Sequence, residues 1–169
     1  MTSQAGSATE IPVWTRLYRR VYCWSWMHTQ DRQHTEQENV MEGVRVDITD
    51  AAWESWDDPD FVARTKVRWK LIFSGERTPT DLMSMGLAEI APGGVLPLHH
   101  HEPGEIYHVI DGEGIVEIGG VSHRLQSGIS VFIPPNVWHQ TTNTGPTPLS
   151  FLFVFPTSRF DEVVYHFDK

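Results

Sequence analysis

From about residue 82 to residue 167 the chain is a succession of short apolar or alternating segments broken by turn residues, and this rhythm leaves few folds open. The segments are 82–90, 98–101, 106–110, 115–118, 121–125, 129–133, 139–142, 149–155 and 163–167. Gly119-Gly120 reads as a tight hairpin turn, and Pro146 and Pro148 mark the loop ahead of 149–155. Upstream, Val67, Trp69 and Leu71 alternate with Arg68 and Lys70, the pattern of a half-buried strand running to Phe73, and 75–80 is a loop. Many short strands with regular turns mean an all-β sandwich or barrel. The chain has no internal repeat or low-complexity segment.

Chemistry-bearing residues concentrate between Gly93 and Asn143. In an extended segment alternate side chains share a face, so His99 and His101 point one way and His100 the other. Glu105 adds a carboxylate after the turn at Pro103-Gly104, and His139 supplies a third imidazole from a distant strand. Three nitrogens and one oxygen suit one divalent transition metal, and Fe(II), Mn(II), Ni(II), Co(II) and Zn(II) all accept such a set. A solvated histidine run is the competing reading, against which stand the ordered spacing to Glu105 and the separate His139. Tyr107, two residues beyond Glu105, shares its face. Its ring either packs with the hydroxyl hydrogen-bonded, or its phenolate, favoured by a nearby cation, removes a proton from bound substrate. His108, His123 and His166 have no comparable partners in the sequence.

The spaced set Gly93-x5-His99-x-His101-x3-Glu105-x6-Gly112 resembles the first cupin motif at every position. Gly128-x5-Pro134-x-Asn136-x2-His139-x3-Asn143 resembles the second, departing only where Asn136 replaces a glycine. Asparagine tolerates the left-handed backbone region that such a turn needs. The resemblance covers about residues 80–167 and implies a double-stranded β-helix, or jelly roll, enclosing a metal. The expected organisation is a disordered tail over 1–10, a helical N-terminal extension over 11–63 and a cupin barrel over 64–169. Within the superfamily the residues resemble the DddW-type cupin dimethylsulfoniopropionate lyases, which carry a His-x-His-x3-Glu set, a later His and a tyrosine two residues after the glutamate. That resemblance implies His99, His101, Glu105 and His139 as ligands, Fe(II) first among the metals, Tyr107 as base, and Trp138 or another barrel aromatic as a cation–π partner for the sulfonium. Two readings stay open beside it: an Fe(II)-dependent dioxygenase acting on a small acid, and a cupin that binds metal and ligand without turnover.

Composition bounds the rest. A chain of 169 residues with 40% hydrophobic content suits one domain with an extension. A formal charge of -9 offers no basic face for a phosphate backbone, so the expected partner is a small-molecule substrate and not nucleic acid. Cys23 is alone, which excludes an internal disulfide framework and fits a reducing compartment. With no apolar run of membrane-spanning length and a polar start over 1–10, a soluble cytoplasmic protein is the expectation. Between Pro12 and Gln37, Trp14, Leu17, Tyr18, Val21, Trp24 and Met27 recur at three- and four-residue spacing, which predicts an amphipathic helix. Its apolar surface predicts a homodimer. Residues 44–48 alternate like a short strand, and Thr49 or Asp50 is placed to cap a helix through Trp56 that Asp57-Asp58-Pro59-Asp60 would end.

Overall fold

Residues 43–168 are described by the computed structural model, in which one α-helix precedes ten strands. In chain order these are α1 (Pro59–Thr65), β1 (Val67–Phe73), β2 (Ser84–Ile90), β3 (Val95–His100), β4 (Glu105–Asp111), β5 (Glu113–Ile118), β6 (Val121–Gln126), β7 (Ser130–Ile133), β8 (His139–Asn143), β9 (Leu149–Phe155) and β10 (His166–Phe167). They form two five-stranded sheets, β1-β2-β9-β4-β7 and β10-β3-β8-β5-β6, with every pairing antiparallel. This is the expected double-sheet jelly roll. Among the described residues no helix is long and apolar enough to cross a membrane.

Alternation sets the inward face. In β9 Leu149, Phe151, Phe153 and Phe155 are buried while Ser150, Leu152 and Val154 are only half-buried. Ile90, Val109, Val116, Leu125 and Ile133 complete the core from both sheets. Burying each such side chain stabilises the fold by about 1.5–3 kcal/mol. Close approach matters at Gly86 of β2, where any side chain would run into the Phe153 ring. The hairpin joining β5 to β6 turns at Gly119 and Gly120, whose φ values of 57 and 82 are those of a two-residue primed turn.

The strand expected over 44–48 does not form. Asp47 instead accepts hydrogen bonds from the Thr49 amide at 3.1 Å and hydroxyl at 2.7 Å, which turns the chain before any ladder begins. The acidic cluster starts a helix and does not end one. Asp58 is the N-cap, accepting from the Asp60 and Phe61 amides at 2.9 and 3.3 Å, and Pro59 takes the first helical position, where a missing N–H costs nothing. Helix α1 then stops at Lys66 in the left-handed region. The brief helix expected from Thr49 or Asp50 through Trp56 does not form; those residues are turn, bend and an isolated bridge at Glu54. The expected tail over 1–10, the helix over 12–37 and its Trp-rich face lie outside the described residues.

Asn136 adopts φ 60, the conformation its place in the second motif requires. Its amide donates to the His101 carbonyl at 2.9 Å, so this turn tethers the segment carrying His101. Asn136→Gly should leave stability within about 0.5 kcal/mol, whereas Asn136→Val should cost about 1–2 kcal/mol through left-handed strain. Thermal melts of the two variants measure the difference.

Candidate metal centre

Three elements deliver the four expected ligands. His99 lies in β3 and His101 just beyond its end, His139 opens β8 opposite His99, and Glu105 opens β4 of the other sheet. All four are buried. Each histidine is oriented by a backbone carbonyl two residues away: the Nδ1–H groups of His99, His101 and His139 donate to Pro97 at 2.7 Å, Pro103 at 2.8 Å and Val137 at 2.9 Å. A carbonyl only accepts, so Nδ1 carries a proton in all three, and in each neutral ring Nε2 holds the lone pair a metal needs.

Those lone pairs converge. Ligand atoms of His99, His101 and His139 lie within 4.8 Å of one another. Oε2 of Glu105 is 3.2 Å from Nε2 of His101 and 3.7 Å from Nε2 of His139. Nε2 of His99 and of His139 is buried with no hydrogen-bond partner. An unsatisfied buried polar atom costs about 1–3 kcal/mol, which a coordinated ion removes. The donor set therefore fits a divalent metal, which His99, His101, Glu105 and His139 would hold.

The electrostatics agree. Burial, aided by His139, pushes His99 down to about 3, so it remains a neutral imidazole. Burial also works against charge on His101, but its hydrogen bond to Glu105 and that group's charge hold it above the ordinary value. For Glu105, burial favours the neutral acid, yet His101 and His139 outweigh it and hold the carboxyl below the usual range. A positive charge is thus stabilised beside Glu105, where a cation would sit.

Two tyrosines accompany the ligands. Tyr107 is 1% exposed, with its ring 4.3 Å from Phe151 and the charge of Glu105 acting on its hydroxyl. Burial and the Glu105 charge push that hydroxyl well above the ordinary phenol range. Tyr165, which the sequence reading did not single out, stacks on His99 at 5.1 Å and lies 5.5 Å from His101. It is displaced in the same direction by burial and then by Glu105. Alternation over 163–167 was visible, but only the pairing of Phe167 with His99 reveals that this face covers the centre.

Trp138 is elsewhere. It is 42% exposed and packs on His100 at 4.4 Å, with His166 stacked on the same imidazole at 4.8 Å. Its neighbour His139 faces inward, so Trp138 faces out, and the cation–π role expected of it is corrected. The aromatic groups that do line the cavity beside Glu105 and Tyr107 are Trp56, Trp69, Phe151, Phe153, Phe160 and Tyr165.

A family model described as a cupin domain matches residues 86–155, across the strands that carry all four ligands. Two antiparallel sheets around a centre of three histidines and one glutamate are what that match leads one to expect, and the chain belongs to the cupin family. Among characterised relatives, it is 34% identical to dimethylsulfoniopropionate lyase DddW of Ruegeria pomeroyi over 123 residues, 72% of this chain and 78% of that protein. It is 28% identical to a gentisate 1,2-dioxygenase from a Ralstonia species over 87 residues, 50% of this chain and 24% of that one. Among solved structures, the polyketide cyclase RemF from Streptomyces resistomycificus superposes with a TM-score of 0.62 at 22% identity, covering 76% of this chain and 88% of that one, a likeness of fold.

Proposed function

We propose that the protein is a metal-dependent carbon–sulfur lyase that cleaves dimethylsulfoniopropionate to dimethyl sulfide and acrylate, with Tyr107 as the base. The observation that carries the reading is a tyrosine hydroxyl buried beside Glu105 in an aromatic cavity that adjoins the histidine cluster. The 34% identity to DddW supports the choice of substrate. Bound to His99, His101, Glu105 and His139, a divalent ion, Fe(II) by preference, supplies the positive charge that acidifies the carbon next to a carboxylate and favours a neighbouring phenolate. Tyr107 removes the α-proton; the C–H electron pair becomes the Cα=Cβ bond, and the Cβ–S pair leaves with neutral dimethyl sulfide. Walls such as Phe153 and Phe160 give the sulfonium cation–π contact and keep water from the reacting carbon.

The cavity is about 30 Å³, room for a water and not for this substrate, so binding displaces a wall. Purified protein supplied with each metal in turn should release dimethyl sulfide into the headspace without consuming oxygen. Silence with every metal would remove the lyase reading. Uptake of O₂ with a small aromatic acid would favour a dioxygenase, the second reading, to which the gentisate dioxygenase similarity points. A cytoplasmic homodimer completes the proposal, and light scattering that gives the monomer mass across a wide concentration range would exclude the dimer.

A further inference from the structure

Two buried polar atoms without partners are the imidazole nitrogens that a metal would satisfy. Two more are the indole nitrogens of Trp56 and Trp69. Both rings line the same cavity as Glu105 and Tyr107. An indole N–H only donates, so what completes it is an acceptor, and leaving two such donors buried and unmet costs about 1–3 kcal/mol each. None of the residues lining this cavity is a lysine or arginine. An acid entering it would therefore find neutral N–H donors and the metal, and no side-chain cation.

The two tryptophans are fixed with respect to each other. Trp69 belongs to β1, and Glu54 bridges it through backbone hydrogen bonds of 2.7 and 3.0 Å, which bring Trp56 beside it. The ring centroids are 4.9 Å apart at an interplanar angle of 62°. Trp56 also lies 5.4 Å from Tyr165, whose ring covers His99, so the pair is one aromatic ring away from the histidine cluster. Two donors on neighbouring rings suit a group with two closely spaced, lone-pair-bearing oxygens. A sulfonium has no such oxygen; a carboxylate has two.

We propose that the indole N–H groups of Trp56 and Trp69 form a clamp for the carboxylate of the ligand and so select acids over their neutral isosteres. The inference rests on the lyase reading for the identity of the substrate, and deepens it by naming side-chain donors that hold the carboxylate. During α-proton removal negative charge moves onto the carboxylate oxygens, so donors placed there strengthen in the transition state as well as in binding. Trp56 and Trp69 then lower kcat as well as raise KM when their N–H groups are lost.

The test uses metal-loaded protein and propionate, an acid that cannot eliminate, with propionamide as its uncharged counterpart. Trp56→Phe and Trp69→Phe should each weaken propionate about tenfold, the worth of one hydrogen bond to a charged group, while metal content and propionamide binding hold. Replacement of either indole by the benzothiophene analogue, which keeps the bicyclic ring and lacks the N–H, should reproduce the loss if phenylalanine disturbs packing. Propionate affinity within twofold of the parent in both analogue proteins, or a parent that binds propionate no better than propionamide, overturns the clamp. Dimethyl sulfide release by the parent is read separately, so a failed clamp and a failed lyase reading give different results.

Discussion

His139→Ala should strip the metal from the protein, lowering affinity at least about a hundredfold, while His100→Ala retains it. The two residues are a matched pair, since both are histidines adjoining the cluster. Nε2 of His139 points into it, 3.7 Å from Glu105, whereas His100 packs outside between Trp138 and His166. Loss of an outer hydrogen-bond partner alone costs 10–100-fold in typical metal sites, so loss of a ligand should cost about the upper figure or more. Elemental analysis after dialysis reads the outcome, and the opposite order would dismantle the assignment. Acidification should act in the same direction as His139→Ala. Bound metal requires neutral imidazoles, and Glu105 favours the protonated form of His101, so the ion competes with protons there and binding weakens as pH falls.

Stability of the metal-free protein carries a separate signature. His99 is held down to about 3 when folded and returns to about 6.5 when unfolded. Between these values the unfolded chain binds more protons, so the contribution of His99 is complete above about pH 6.5 and lost as pH falls toward 3. His101 acts oppositely: raised when folded, it contributes at low pH and loses that contribution as pH rises through its folded value.

The barrel was legible because its information is local. Segment 149–155 was placed to the residue, since a seven-residue apolar run rich in phenylalanine and bounded upstream by prolines reads as a strand. The ligands were legible for a similar reason: the two-residue period of an extended chain puts His99 and His101 on one face. What failed had local causes at some residues and depended on contacts distant in sequence at others. Trp138 was drawn to the centre by its chemistry, although the same period, applied from His139, turns it outward. Residues 44–48 carried the alternation of a strand without a partner strand, and the carboxylate of Asp47 closed a turn instead. Trp56 and Tyr165 reach the cavity only through pairings with Trp69 and His99 that join remote segments, and no local pattern announces those.

Tyr107→Phe should abolish most of the turnover while leaving the metal in place, a fall in kcat of at least about a hundredfold, the usual worth of a positioned proton acceptor. The substitution removes one oxygen and keeps the ring that packs on Phe151 in the core. Fold and metal content should persist. Without a metal the hydroxyl is held well above the ordinary phenol range by burial and by Glu105, so the phenolate depends on the cation that the four ligands hold. Raising pH should therefore increase the rate of the loaded parent until the phenol has ionised, and should leave the residual rate of the variant flat. KM should change little, because the carboxylate and the sulfonium are held by other groups. Tyr165→Phe is the informative companion. Tyr165 shares the cavity and the direction of its displacement, but covers His99 and does not flank Glu105 in sequence. A Tyr107→Phe protein that releases dimethyl sulfide near the parent rate, beside a Tyr165→Phe protein that does not, would move the base from one tyrosine to the other.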